Sequence, residues 1–377
     1  MISRYSHFAR WGAGAAAWQL LPGVALCCFM AMPACADRAG VMDFSPDGKS
    51  IAFVWWGVTG APLSIVRVDG SPVAVVPQGA GATAPRWSPD GGQVLFAAGD
   101  APGRARLYHV ASGKTQDLPT LIGPPFAWRE DAKRIAGLRA LASGGVEIVW
   151  YLMADGGTTF RVPLTFQPVS GGPLIWLPNT DDAAMLGQTA TGVDVYTVEA
   201  GQIHQITTSS DVLGLALSGD RSALVWARKS PNTRYILMSV YRFGLISRSA
   251  TRLPFPDRVK GLNPDPHHAP RSVDWVEFSP DGTRLLVWVT QDAKPAGTVV
   301  QSLYVVTMDG RTTKLLAKSL PHPLAAPGNT QPPSAYVLDA CWSGDGGKIA
   351  VMQGAPGSET LSVFGADGSG GTVIARQ

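Results

Sequence analysis

The side chains best suited to metal or acid–base chemistry in this chain are its histidines, and three of the six lie in two proline-rich stretches. His267 and His268 close the run N-P-D-P-H-H, which also contains Asp265, and His322 sits in S-L-P-H-P. Imidazole and carboxylate are common metal ligands, and imidazole is the usual general base near neutral pH. The spacing makes a poor chelate. Neighbours in an extended chain point to opposite sides, so His267 and His268 diverge, and Asp265 with His267 supplies only two ligands. No metal and no cofactor is expected. Nucleophilic chemistry has no better footing, because the chain contains no G-x-S-x-G elbow. Cys341 precedes Trp342 in an inner-strand pattern and reads as a buried, inert thiol. His109 and His204 occupy alternating strand positions. No catalytic residue is therefore assigned.

The elements that must position these loops repeat along the chain. V-E-F-S-P-D-G-T-R-L-L-V-W-V, residues 276–289, reads as two strands around a tight turn. Pro280 presets φ, Asp281 tolerates the bridge region, and Gly282 supplies the left-handed residue of a three-residue hairpin. Related heads occur at Phe44, Trp87, Trp128, Trp176, Leu217, Phe278 and Trp342, spaced 43, 41, 48, 41, 61 and 64 residues apart. Each is followed by a second hairpin, such as Leu63–Val68 turning at Asp69-Gly70 into Val73–Val76. Four strands repeated at this period predict an all-β fold, a β-propeller of seven four-stranded blades in preference to six or eight. The blades are expected near 40–80, 81–121, 122–168, 169–209, 210–256, 272–318 and 335–376. Asp47, Asp90, Asp131, Asp220, Asp281 and Asp345 hold one place in the repeat and are expected to be structural turn residues. The aromatic heads are expected to pack between blades. The chain opens on an inner-strand pattern at Val41–Phe44 and closes on an outer-strand pattern at Thr372–Ala375, so each blade should be contiguous in sequence.

The unit F/W-S-P-D-G-x-x-[IL]-[AV]-[FV], followed by L-Y-x-V-x-x-x-G, resembles the WD40-like (PD40) repeat of TolB-type propellers over nearly all of residues 40–376. The resemblance implies a propeller but says little about activity. Similar repeats occur in the periplasmic TolB component, in prolyl-oligopeptidase-type peptidases and in oligogalacturonate lyases. TolB resembles a six-bladed propeller preceded by an α/β domain, which this repeat pattern does not match. The lyases resemble this chain in fold, but their compact H-x-H arrangement is missing here.

Residues 1–36 read as a leader. Arg4 and Arg10 precede a largely apolar stretch, and Ala34-Cys35-Ala36 offers a small-x-small cleavage site before Asp37. Acylation at Cys35 is the lipoprotein alternative. Pro22, Gly23 and Pro33 interrupt the stretch, which argues against a membrane anchor. Cleavage would leave Cys341 as the sole cysteine and residues 37–377 as a single domain, soluble and expected to be a monomer in the periplasm or secreted. A net charge of +3 is too small to imply a nucleic-acid partner.

The two long inter-head intervals place inserted loops near 254–271 and 319–334, on the face opposite the S-P-D-G turns. That face also collects Trp55 and Trp56 and the basic residues Arg104, Arg139, Arg228, Lys229, Arg234 and Lys294. His267, His268, His322, Asp265, Trp55, Trp56, Arg228 and Arg234 are the binding-face candidates. The expected role is a non-catalytic module that binds a protein or an envelope polymer. The alternative is a propeller enzyme, a lyase or glycan-active hydrolase, that uses the histidine-bearing loops.

Overall fold

The computed structural model describes residues 41–377 apart from 56–58, 102, 119–121, 155, 230–237, 257–258, 260, 263–269, 324–336 and 356. Seven antiparallel sheets account for the strands of these residues, and no helix occurs among them. Blade one comprises Met42–Phe44, Ser50–Phe53, Pro62–Arg67 and Pro72–Ala80, paired in that order from the inside outwards. Blade two runs from Thr83–Trp87 to Lys114–Asp117, blade three from Gly123–Trp128 to Gly157–Pro163, and blade five from Val212–Leu217 to Ala250–Arg252. Blade seven runs from Val337–Trp342 to Thr372–Arg376. Its four strands are consecutive, as are those of blade one, so no described strand is exchanged between the two.

A single twisted sheet of this size cannot cover both of its apolar faces, and the seven sheets solve that problem by stacking as a ring. Seven apolar clusters form, one between each pair of neighbours. Phe44 packs with Ala350, Met352 and Leu361 between blades seven and one. Trp87 packs with Leu63 and Ile65 of blade one. Trp176 joins Ile148 and Trp150 of blade three, and Phe278 joins Val225 and Val240 of blade five. The second strands are buried on both faces, as at Leu285–Val289 and Ile349–Met352, which explains why they read as continuous apolar runs.

Polar contacts pin the same seams. The indole N–H of Trp176 donates to Ala127 O at 3.1 Å, and that of Trp128 donates to Arg86 O at 3.3 Å. Asp43 accepts the Trp87 N–H at 2.8 Å from the adjacent blade, and Glu277 accepts that of Trp342 at 3.4 Å. Across the closing seam, Val41 N–H donates to Asp339 Oδ2 at 3.2 Å. Burial raises the Asp43 carboxyl above its ordinary range, against the opposing pull of Arg86.

Two blades depart from the regular plan. In blade four the inner strand is broken, and both Gln167–Pro168 and Leu174–Trp176 pair with Ala183–Gln188. Blade four thus begins within the span that the repeat pattern assigns to blade three. In blade six, Arg284–Ala293 and Thr298–Thr307 are 10 residues each, whereas the matching strands of blade two are five each.

Candidate functional site

The two faces of the ring are built from different turns. On one face, a serine and an aspartate two residues on brace the hairpin that joins the first and second strands. Ser45, Ser88, Ser218, Ser279 and Ser343 donate through Oγ to Asp47, Asp90, Asp220, Asp281 and Asp345 at 2.5–2.6 Å. Each aspartate also accepts a backbone N–H two residues further on, as from Lys49 and Thr283 at 3.0 Å. Asp131 keeps only the backbone half of this arrangement, from Lys133 at 2.9 Å, because Arg129 stands where the serine would be. The serine hydroxyls hold Asp47, Asp90 and Asp345 below the ordinary carboxylate range, and Asp220 falls to about 2. At Asp281 burial acts upwards, but the hydroxyls of Ser279 and Thr283 with the Thr283 N–H outweigh it.

Neighbouring turns of this kind interlock. The Pro46 ring lies against Gly91 of blade two, and Pro280 lies against Gly346 of blade seven. Blades three to five lack this proline–glycine contact, because their turns read R-E-D-A, L-P-N-T and S-G-D-R. A cleft of about 270 Å3 lined by Arg129, Asp131, Trp176, Asn179 and Arg221 opens there. Arg221 occupies the left-handed place that glycine holds elsewhere, with φ 57°, and its guanidinium pairs with Glu130 at 3.2 Å.

The opposite face carries the loops between second and third strands and the connections between blades. Of the binding-face candidates, Trp56, Arg234, Asp265, His267 and His268 lie outside the described residues. Trp55 is half-buried, packed against the clusters on both sides of blade one and edge-on to Phe53, with ring centroids 4.9 Å apart. Arg228 grips Asp211 through two hydrogen bonds of 2.8 and 2.9 Å and lies 5.5 Å from the Tyr241 ring. His322 falls in a two-residue strand, His322–Pro323, that pairs with Thr298 and Val299 at the top of blade six.

Two further arginines of this face are engaged as well. Arg106, which the repeat pattern did not single out, binds Asp100 bidentately and Asp117 at 2.7 Å, and it reaches Gln78 O of blade one at 3.0 Å. Arg139 pairs with Glu147 across a strand pair, at 2.6 Å from Nε. Asp117 and Glu147 stand on strands adjacent to those of Arg106 and Arg139, so these two pairings became visible only with the strand register.

Two features of this face stand clear of the ordinary repeat. One is blade six itself. All seven second strands leave the turn face at the same height, so the extra length of Arg284–Ala293 and its partner lies on the loop face. Three residues beyond the seven of blade five add about 10 Å of height. The projection is packed rather than loose, with Val299, Val300 and Gln291 buried. The other feature is an open cleft of about 460 Å3 beside the broken inner strand of blade four. Leu164, Thr165, Phe166 and Gln167 form one wall, and Gln188, Thr189 and Ala190 form the other.

Cys341 is half-buried on Val337–Trp342, the innermost strand of blade seven. Burial raises its thiol well above the ordinary value, and the carboxylates of Glu277, Asp43 and Asp339 add to the effect. Among the described residues, no group of three or more His, Cys, Asp or Glu side chains is arranged to hold a metal ion.

These observations define a seven-bladed β-propeller with one uniform face and one elaborated face. By sequence, the chain matches no family model and no curated protein. By structure, it is similar to the β-propeller domain of the Trilobed protease from Pyrococcus furiosus, described as having an open velcro topology. That likeness has a TM-score of 0.51 at 11% identity and covers 87% of this chain and 95% of that one. It is also similar to the acylaminoacyl peptidase of Pyrococcus horikoshii, with a TM-score of 0.50 at 12% identity over 87% of this chain and 51% of the peptidase. TolB from Acinetobacter baumannii aligns with a TM-score of 0.43 at 13% identity, over 88% of this chain and 66% of that one. The likenesses to the two Pyrococcus proteins bear on the fold alone.

Proposed function

We propose that this chain is an exported, non-catalytic binding module that engages a protein or a cell-envelope polymer through its loop face at blade six. The projection of blade six carries the reading. A hairpin whose paired strands run about 10 Å further than the second strands of blades five and seven, braced by the short strand His322–Pro323, offers a rigid prominence to a large partner. Preorganised backbone of this kind binds with less loss of conformational freedom than a bare loop. The inserted stretches 254–271 and 319–334 border the same blade, which concentrates the elaboration of the fold at one sector. Export is supported by the leader pattern of residues 1–36 and by an economy of cysteine suited to an oxidising compartment.

Replacing Gln291–Val300 by Asn-Gly removes the three added residues of each strand and closes the hairpin at the Thr290–Gln301 pair with a turn type that strands accept readily. The expected result is a protein that still melts cooperatively but no longer retains the envelope component captured by the unaltered chain. Equal capture by both proteins would refute the assignment. N-terminal sequencing of the protein recovered from its native host tests the export reading, with Asp37 as the expected first residue.

A further inference from the structure

We propose that the cleft of blade four is a subsite for an uncharged glycan, holding a pyranose unit between the Gln167 and Gln188 side chains over the edge of Phe166. The inference is independent of the blade-six reading and rests on how this cleft is made. Its floor exists because residue 187 is glycine. Phe166 and Tyr196 stack above it with centroids 3.9 Å apart and planes 20° from parallel. A Cβ at Gly187 would fall 2.4 Å from Phe166 and 2.6 Å from Tyr196, so no larger residue admits this stack.

The rim is chemically uniform. Thr165, Gln167, Gln188 and Thr189 present amides and hydroxyls, and no lining residue is ionisable. Such groups donate and accept hydrogen bonds at once, which suits sugar hydroxyls that also do both. A charged ligand would give up hydration here without meeting a counter-charge. A peptide adding itself as a strand would need free backbone groups. The only strand edge in this wall is the two-residue Gln167–Pro168, paired on its other side with Gln188 and Gly187, and Pro168 has no N–H to donate to an added strand. The edge of Phe166, whose ring stacks on Tyr196, adds apolar contact for the carbons of a pyranose. The volume of about 460 Å3 also falls within the span of ordinary small-ligand sites.

The rim is held in place from behind. Gln188 Nε2 donates to Thr189 O at 3.0 Å, and Thr189 Oγ1 donates to Gly192 O at 3.0 Å. Thr189 and Thr191 share a hydroxyl contact of 3.0 Å, and Thr191 continues to Ser210 at 2.7 Å. The chain ends on Asp194, which is 1% exposed and accepts from Ser210 N–H at 3.0 Å and from Thr207 Oγ1 at 2.7 Å. A buried carboxylate thus fixes the outermost hydroxyls, and little freedom remains to be lost on binding.

The test is calorimetric titration of the full-length protein with maltohexaose, cellohexaose, laminarihexaose and chitohexaose. A galacturonic acid hexamer and a Ser/Gln-rich peptide serve as the charged and peptide arms. The expected result is that at least one uncharged hexamer binds and that Gln167→Ala and Gln188→Ala each weaken it by roughly tenfold or more. The trimmed blade-six variant should bind that sugar as well as the unaltered chain, which separates this site from the blade-six reading. Gln167 is exposed, so its variant tests the site without disturbing the fold. Absence of binding by every uncharged hexamer would overturn the proposal, as would equal binding by Gln167→Ala or preferential binding of the charged or peptide arm.

Discussion

Replacing Gly187 by alanine tests whether the blade-four cleft depends on a ring stack that only glycine permits. The added methyl group would lie 2.4 Å from Phe166 Cδ2, and 2.6 and 2.7 Å from two carbons of the Tyr196 ring. Both rings are buried, at 8% and 6% exposure, so neither can swing into solvent without exposing apolar surface. Overpacking of a filled core costs about 1–3 kcal/mol, and contacts with two rigid rings place Gly187→Ala at ~3. Phe166→Ala alone should cost about 3 kcal/mol, the low end for a buried phenylalanine, because the ring edge borders the cleft. In the Phe166→Ala background the shortest clash disappears and Tyr196 gains room to tilt. The added alanine should then cost only ~1 kcal/mol, a coupling of ~2 kcal/mol between the two sites. Urea denaturation of the four proteins measures this directly. Additivity within ~0.5 kcal/mol would show that the two positions do not share a packed contact, and the account of the cleft floor would fail.

Other outcomes follow from the turns, the seams and the innermost strand of blade seven. Asp47, Asp90, Asp281 and Asp345 are held below their unfolded value of about 4, with Asp220 at about 2. A depressed folded value stabilises the protein above the unfolded one and is lost as pH falls through the folded one. Melting temperature should therefore fall steeply from about pH 4 to pH 2, and Asp220→Asn should flatten the fall; an unchanged slope would contradict the turn assignment. Trp176→Phe removes the donor to the buried Ala127 carbonyl and should cost about 1–3 kcal/mol in chemical denaturation. The raised Cys341 thiol should react with a disulfide reagent at pH 8 roughly tenfold or more slowly in the native protein than after unfolding; equal rates would refute its placement.

Much of the fold was legible because its signals are local. A Ser-x-Asp turn with a left-handed residue after it needs only four consecutive positions, and those positions recur at Ser45, Ser88, Ser218, Ser279 and Ser343. With the degenerate heads at Trp128 and Trp176, the count predicts seven blades. The alternation of inner and outer strand patterns along the chain likewise anticipates the unexchanged blades one and seven. The candidate sites were less legible, for a physical reason. Arg228 reads as a free cation until the strand register brings Asp211 to it, 17 residues back in sequence. Trp55 reads as exposed until two neighbouring blades enclose it. The blade-four cleft is built from glutamine, threonine and a glycine, residue types that mark no chemistry by themselves. One signal was available: in a chain where most second strands are unbroken apolar runs, Gly187 interrupts one.

The turn-face cleft shows how departures from a repeat can be separated from drift. Where both partners are retained, the proline of one turn fills the space beside a glycine of the next, as Pro46 does at Gly91. Losing either partner leaves that space open. Blades three and five lose both partners and blade four loses the glycine, and a cleft opens where they meet. Drift toward a small residue is seen in blade three, where Ala132 takes the glycine's place at φ 56°. Position 221 instead carries arginine at φ 57°, a conformation that costs a residue with a side chain about 1 kcal/mol or more. Its exposed pairing with Glu130 offsets only part of that cost, since such pairs contribute about 0–1 kcal/mol. Arg221→Gly should therefore leave stability within about 0.5 kcal/mol of the unaltered protein, because relief of the backbone is balanced by the greater freedom glycine gives the unfolded chain. A loss well beyond that would show the Arg221–Glu130 bridge to be a principal tie between blades three and five.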